Sequence, residues 1–315
     1  MMQFIKDGVV IPFMKIKGIV EICVTILVLA CIGVMITKGL NWGLDFTGGI
    51  VVETKYSHPM DLDEVRDAYA NEGVVGVTQH FGSTSDVMIR VAPKDGLNQQ
   101  IVADKVMQAA KKIDPNASLS RSEYVGPAVG EELVQSGILA IVVSLIAILA
   151  YIAFRFEWRM ATGAVISLAY DVIVVMGVFS LWQIEYDLTV LAAVLTVVGY
   201  SLNDKIVVFD RIRENASKVS RDMSMDYLFD LSLTQTLSRT IITSGTTLIT
   251  VICLLVFGGS LIYGFALAVT IGIVFGTFSS VYVASTWALL LKIQRANLLP
   301  MKIEKKETDG IETMD

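Results

Sequence analysis

Histidine is nearly missing from this chain, and basic residues do not outnumber acidic ones. Only 2 of the 315 residues are histidine, His58 and His80, and both fall in a polar stretch. No HExxH pairing and no Ser–His arrangement occurs, which argues against zinc and triad hydrolases. The 3 cysteines, Cys23, Cys31 and Cys253, lie in apolar runs without metal-type spacing. They read as small buried hydrophobes, so neither a disulfide nor a metal site is implied. Lys and Arg total 25 against 31 Asp and Glu, so the basic footprint of a nucleic-acid binder is lacking. No cofactor motif is present. The first apolar run is too long for a cleaved leader and no A-x-A site closely follows it, so it reads as a retained helix.

What the chain does have is apolar length. Hydrophobic residues make up 54% of it, and the mean hydropathy is +0.62. About 20 apolar residues are needed to cross a bilayer as a helix. Six stretches qualify, near Ile19–Ile36, Ile138–Phe154, Met160–Trp182, Leu188–Phe209, Thr240–Phe257 and Leu261–Leu291. The sixth exceeds the needed length and is expected to tilt or protrude.

Orientation follows from Lys and Arg in the short loops. Lys6, Lys15 and Lys17 precede span one, and Arg155 and Arg159 separate spans two and three. Arg211, Arg213, Lys218 and Arg221 follow span four, and Lys292, Arg295, Lys302, Lys305 and Lys306 follow span six. The loops near 183–187 and 258–260 carry no basic residue. Both termini and the 210–238 segment are therefore expected on the cytoplasmic side. The insert between spans one and two is expected on the other side, the periplasm of a Gram-negative cell.

That insert, about residues 41–132, holds most of the net charge. From Gly43 to Leu133 there are 14 acids and 8 bases. Ile50–Lys55, Val75–Phe81, Asp86–Val91 and Leu119–Val125 read as strands. Asp61–Glu72, with Asp61 as N-cap, and Gln100–Ile113 read as helices. The order β-α-β-β-α-β predicts an α+β ferredoxin-like domain. The organisation is thus a terminal helix (1–40), the inserted domain (41–132), five further spans (133–291) and a tail (292–315). Within the 210–238 segment, Met225–Leu233 places apolar residues on one helical face. An interfacial helix and a partner-binding surface are its two readings.

Ionisable groups within membrane helices are costly and ask for a reason. Glu21 lies near an end of span one and reads as a snorkelling residue. Asp171 lies midway along span three, with Ser167 four residues back on the same face. It reads as a hydrogen-bonded interior acid or as a proton handler. Asp204 is the sharpest feature. Thr196, Gly199, Tyr200, Asn203 and Asp204 share one stripe of span four, with Ser201 beside it. Lys205 points about 100° away around the helix; it is expected to snorkel, or to neutralise Asp204 locally. Arg239 opens span five, and Thr243, Thr246, Thr247 and Thr250 continue its face, with Ser244 alongside. Asp204 and Arg239 lie at similar depth, so a cross-helix pair is expected, either static or titrating as the partner comes and goes. Gly272, Gly276, Ser280 and Ala284 form a small-residue ridge on span six, read as packing rather than chemistry.

Five segments together resemble the SecF family of protein-export membrane proteins. They are Gly43-Leu-Asp-Phe-Thr-Gly-Gly49, Val125-Gly-Pro-Ala-Val-Gly130, Arg155-Phe-Glu-Trp-Arg159, Val198-Gly-Tyr-Ser-Leu-Asn-Asp204 and Ser238-Arg-Thr-Ile-Ile-Thr-Ser-Gly-Thr-Thr247. The first, with Gly43, Asp45, Phe46, Thr47, Gly48 and Gly49, would also be shared with the sister protein SecD. The resemblance implies half of a twelve-helix bundle of the resistance-nodulation-division type, completed by SecD. It implies partnership with the SecYEG channel and YajC, and exported polypeptides as substrates. It further implies a bacterial inner-membrane location and coupling to a proton or sodium gradient. By motif, Asp204 and Arg239 match the family's proton-pathway residues, with Thr243, Ser244, Thr246 and Thr247 as polar neighbours. Two positions depart from the pattern: Tyr170 stands where relatives carry His, and Lys205 where relatives carry a small uncharged residue.

Three functional classes follow. The first is a non-enzymatic export subunit driven by an ion gradient. The second is a small-molecule exporter of the same superfamily, which would need a homo-oligomer to complete its pathway. The third is an intramembrane enzyme with Asp171 and Asp204 as an aspartyl dyad, for which no protease motif is present.

Overall fold

The computed structural model describes residues 9–93, 98–220 and 222–298. Lys6, Arg221, Lys302, Lys305 and Lys306, used above for orientation, lie outside these ranges. The chain starts with a 3-10 turn (Phe13–Ile16) leading into α1 (Lys17–Lys38). Five further segments are long and apolar enough to span a membrane. They are α5 (Pro127–Arg155), α6 (Trp158–Trp182), α7 (Leu188–Lys218), α8 (Met225–Phe257) and the pair α9 (Ser260–Val281) and α10 (Val283–Leu290). A short α11 (Arg295–Leu298) follows.

The spans are unequal in burial. In the most apolar stretch of α6 and of α7, 56% and 50% of residues are buried, against 11% for α1 and α5. The bundle is therefore organised on α6 and α7, with α9 wedged against them. Small residues allow that wedge. A side chain at Gly272 would run into Val197, and one at Gly276 would sit 3.0 Å from Ser201 Oγ. The small-residue ridge thus serves packing inside this chain.

The sixth span is two helices rather than one tilted rod. It breaks at Tyr282 (φ −100°, ψ −57°). Ser279 Oγ donates to Gly276 O, three residues back and just before the break. Such back-bonding bends helices.

The 210–238 segment is also shorter than its charge suggested. Helix α7 continues to Lys218 and α8 starts at Met225, so both spans extend as continuous rods. Leu228, Phe229 and Leu233 are buried in the bundle core, so this face packs internally instead of lying in an interface. The N-terminal strap covers it: Met14 N donates to Asp230 Oδ1 (2.8 Å) and Ile11 N to Thr234 Oγ1 (3.0 Å).

Between α1 and α5 lies the α/β unit. After β1 (Asn41–Trp42) and the single turn α2 (Leu44–Thr47) come β2 (Gly49–Lys55), α3 (Leu62–Asn71), β3 (Val77–Phe81), β4 (Ser83–Val91), α4 (Gln99–Ile113) and β5 (Ser118–Val125). The sheet order is β3-β4-β2-β5, antiparallel throughout. Period-two alternation turns Ile50, Val52, Val87, Ile89 and Val91 toward Val65, Tyr69, Val102 and Val106 of the two helices. Both helices start at side-chain caps: Asp61 accepts from Asp63 N, and Asn98 from Gln100 N and Ile101 N. The β3–β4 turn is tighter than its Gly-Ser-Thr-Ser composition suggested. Gly82 takes φ +78° and β4 already begins at Ser83.

Candidate functional site

Helix α7 carries its two adjacent ionisable residues to different neighbours. Lys205 and Asp204 are about 100° apart on the helix, so one faces α6 and the other faces α8 and α9.

Lys205 does not snorkel. Its side chain is 0% exposed, and its Nζ lies 3.0 Å from Asp171 Oδ2 on α6, whose side chain is also 0% exposed. Ser201, one turn back on α7, donates to the same carboxylate oxygen at 2.6 Å and also contacts Lys205 Nζ. Ser279 Oγ of α9 lies 3.4 Å from Nζ, and Ser167 Oγ donates to the Ser279 carbonyl at 3.2 Å. Asp171 Oδ1 is buried without a hydrogen bond among the described residues. Lys205 is therefore paired directly with Asp171 in a sealed contact, and its charge also acts on the adjacent Asp204. Tyr170, beside Asp171, packs instead with Val24 and Val174 in an apolar cluster.

Asp204 is half-buried. Thr240 Oγ1 of α8 donates to its Oδ1 at 2.5 Å, and Ser280 Oγ of α9 donates to its Oδ2. The expected pair with Arg239 is not formed. Arg239 is exposed, and its guanidinium joins no ion pair or hydrogen bond among the described residues. The reason is rotational: Thr240, one position on, is the residue that α8 turns toward α7. Ser280 shows that the ridge on α9, besides packing, supplies a hydrogen bond to Asp204. Its signal in the sequence was a hydroxyl among the small residues of a fourfold-spaced row.

The remaining expected residues divide by face. Tyr200 OH donates to Ser244 Oγ at 3.4 Å, and Ser244 hydrogen-bonds Thr277 Oγ1 at 2.8 Å. Asn203 is exposed and makes no side-chain hydrogen bond among the described residues. Thr243 and Thr246 are exposed, and Thr247 is half-buried; each donates to a carbonyl one turn back in its own helix. Asn203, Arg239, Thr243 and Thr246 thus lie on the outer surface of the six-helix unit, next to Asp204. Glu21 is half-buried, with a side-chain hydrogen bond to Trp287.

The family motifs outside the spans meet at the foot of the α/β unit. Gly43 N donates to Tyr186 O, and Asp45 Oδ2 accepts from Leu188 N at the start of α7. Thr47 Oγ1 donates to Gly43 O. Phe46 stacks at 6.4 Å on Tyr186. Gly48 N closes the α2 turn onto Leu44 O. Gly49 adopts φ +114°, and a side chain there would overlap Val91 O. Nearby, Glu185 is half-buried beside Arg90. Desolvation pushes its carboxyl above the usual range, while the Arg90 charge pulls it back.

Among the described residues no group of His, Cys, Asp and Glu is placed to hold a metal ion.

Comparison with known proteins fits this arrangement. Residues 105–294 match the model for the C-terminal part of the protein export membrane proteins SecD/SecF, and residues 33–60 match the SecD/SecF GG motif. The chain is 49% identical to protein translocase subunit SecF of Vibrio alginolyticus over 97% of this chain and 98% of that one. It is 47% identical to the corresponding Escherichia coli O157:H7 subunit over 90% of this chain and 88% of that one. In structure it resembles SecDF, a translocon-associated membrane protein from Thermus thermophilus, with a TM-score of 0.82 and 35% identity. The match covers 90% of this chain but 39% of that longer one.

Proposed function

The chain belongs to the SecF family of protein translocase subunits, and on that premise we propose that it works in the Sec export machinery as one half of an ion-driven pair. The other half is SecD, the pair acts at the SecYEG channel together with YajC, and exported polypeptides are the substrates. The pair uses a proton or sodium gradient to promote late steps of translocation. It lies in the bacterial inner membrane, with both termini cytoplasmic and the α/β unit periplasmic, as the distribution of Lys and Arg supports.

One observation carries this reading. Asp204 is half-buried, and its sequence neighbour Asn203 and the neighbour of its partner Thr240, Arg239, are exposed without side-chain partners among the described residues. Charged and polar side chains on membrane-spanning helices are costly to leave against lipid. A second helical half supplies the cover that these side chains need. Within it, Asp204 exchanges between its two hydroxyl donors and the Arg239 side, taking up an ion in one arrangement and releasing it in the other.

The test is Asp204→Asn, which can accept from one hydroxyl and donate to the other but fixes the charge at zero. Export in cells is expected to fall at least tenfold, with the protein still in the membrane and still copurifying with SecD. Wild-type export by this variant would sink the ion-pathway role. Purification as a homo-oligomer free of SecD would support the small-molecule exporter instead.

A further inference from the structure

We propose that the Gly43–Gly49 segment, together with Arg90 and Glu185, forms a rigid joint that fixes the α/β domain to the start of α7. The domain then moves as one body with the helix that carries Asp204 and Lys205. This rests on the ion-coupled reading above and supplies its mechanical path.

The chain passes between membrane and domain only twice, before β2 and after β5, and both crossings are clamped. On the incoming side β1 pairs in parallel with β6 (Glu185–Tyr186), placing Asn41 opposite Glu185 and Trp42 opposite Tyr186. Gly43 N extends this pairing with a 2.9 Å bond to Tyr186 O. No side chain fits at Gly43, where a Cβ would lie 2.9 Å from the Asp187 Cα. On the outgoing side Gly130 of α5 lies against α2, where a Cβ would meet Gly48 N at 3.4 Å. Two separate family motifs therefore close on one another around a single helical turn.

Asp45 is the link to α7. The first N–H groups of a helix have no partner within it. Asp187, the N-cap, takes Val190 N at 2.8 Å, and Asp45 Oδ2 takes Leu188 N at 3.0 Å. One capping group of α7 is thus supplied by the segment that leads into the domain. Its negative charge also suits a helix N-terminus.

Arg90 makes the link from the sheet. It projects from β4, with Nη2 2.8 Å from Glu185 Oε1 and Nη1 bonded to Trp42 O. Leu44 N donates to the same Glu185 oxygen at 3.2 Å. Both charged side chains are under a fifth exposed. Asn41 Nδ2 adds bonds to Gln79 Oε1 of β3 and to Gln183 O. The rings of Trp42, Phe46 and Tyr186 pack around this polar centre, with centroids 5.6 to 6.4 Å apart.

A joint built from main-chain pairing, a half-buried ion pair and a cap from outside the helix has no free rotor. Asp204 lies about 24 Å along α7 from Leu188 at 1.5 Å per residue. A shift of α7 as Asp204 changes partner is delivered through a stiff rod to the domain.

The test uses the full chain with its partner in membranes, carrying Cys23→Ser and Cys253→Ser to remove the exposed thiols. Asn41→Cys with Glu185→Cys joins register partners, which lie about 5 Å apart in neighbouring strands and so within disulfide reach. In the reduced state Arg90 has lost its carboxylate, and export is expected to fall at least fivefold. Oxidation is expected to restore export to within twofold of the cysteine-replaced parent. Glu185→Gln, which keeps an oxygen for Leu44 N and Arg90, is expected to retain more export than Glu185→Ala at equal protein level.

An oxidised form that is inactive and regains export on reduction would show that the joint must open, overturning the proposal. So would a cysteine pair that fails to oxidise, or Glu185→Ala exporting like the parent. Failure of the ion-coupled reading is distinct, since it appears as export by Asp204→Asn whatever the state of the cysteine pair.

Discussion

Asp171 is met by an ammonium and a hydroxyl and is sealed from its surroundings, whereas Asp204 is met by two hydroxyls and stays half-exposed. Both carboxylates lie in the same bundle, and their contacts come partly from neighbouring residues. Ser279 faces the Asp171 group, and Ser280 faces Asp204. The difference is what surrounds each charge. A buried pair depends on both members, because removing either leaves the other charge unpaired in a medium of low dielectric. Asp204, at the edge of the bundle, has hydroxyls rather than a cation bonded to its carboxylate among the described residues. Lys205 thus distinguishes the two carboxylates: its ammonium bonds Asp171 directly, while Asp204 is bonded by Thr240 and Ser280.

Breaking the sealed pair is expected to have the largest effect on stability. Lys205→Met leaves Asp171 buried without its cation and should cost about 3–5 kcal/mol, read as a lowered thermal midpoint of the purified complex in detergent. Lys205→Met with Asp171→Leu replaces both charges with apolar bulk and should recover most of that loss, since buried pairs exchanged whole are often neutral. If the double variant exports normally, Asp171 has no part in the ion pathway. If it is stable but inactive, Asp171 joins Asp204 as an ion carrier.

A finer contrast uses the adjacent serines. Ser280→Ala removes one of the two hydroxyl donors to Asp204, and Ser279→Ala removes the longest contact to Lys205. Each is expected to cost about 1 kcal/mol or less of stability. Their effects on export should diverge: Ser280→Ala alters the dependence of export on pH or sodium, and Ser279→Ala leaves that dependence in place. Equal shifts from the two would erase the distinction between the carboxylates.

The sequence showed the carriers of charge but not their pairings. Six apolar runs and a β-α-β-β-α-β alternation are one-dimensional signals, since run length and period report the bilayer and the sheet directly. Asp204 and Asp171 stood out for the same reason, as ionisable residues in apolar runs. Which side chains meet depends on how each helix is rotated about its axis, and sequence spacing relates residues only within one helix. Thr240 rather than Arg239 faces Asp204 because of a single 100° step on α8. Lys205 read as an end residue able to snorkel, yet it points inward at α6. One clue was present: Ser201 and Lys205 are four apart and so share a face, and that face meets Asp171. The break at Tyr282 was hidden because serine back-bonding leaves hydropathy unchanged.

The contrast between fixed and free carboxylates can also be sharpened outside the membrane, where pH is set directly. Asp114, at the end of α4, is held by Ser57 N at 2.7 Å, Ser57 Oγ at 2.6 Å and Asn116 N at 2.9 Å. These donors favour the ionised form and lower its pKa below the usual 3.8. A carboxyl depressed in the folded state stabilises the fold fully above its unfolded pKa and loses that contribution as pH falls through the folded value. The Ser57 link between β2 and α4 should therefore hold at pH 7 and at pH 5, and loosen only below about 3.8. Limited proteolysis of the full chain in detergent, read at the segment after Lys55, should show full protection at pH 5 and its progressive loss as pH falls below about 3.8. Asp114→Asn should be cut more readily than the parent at pH 5, with the difference shrinking as pH falls below about 3.8. Parental cleavage that rises already between pH 7 and pH 5 would mean that Asp114 is not held as its three donors imply.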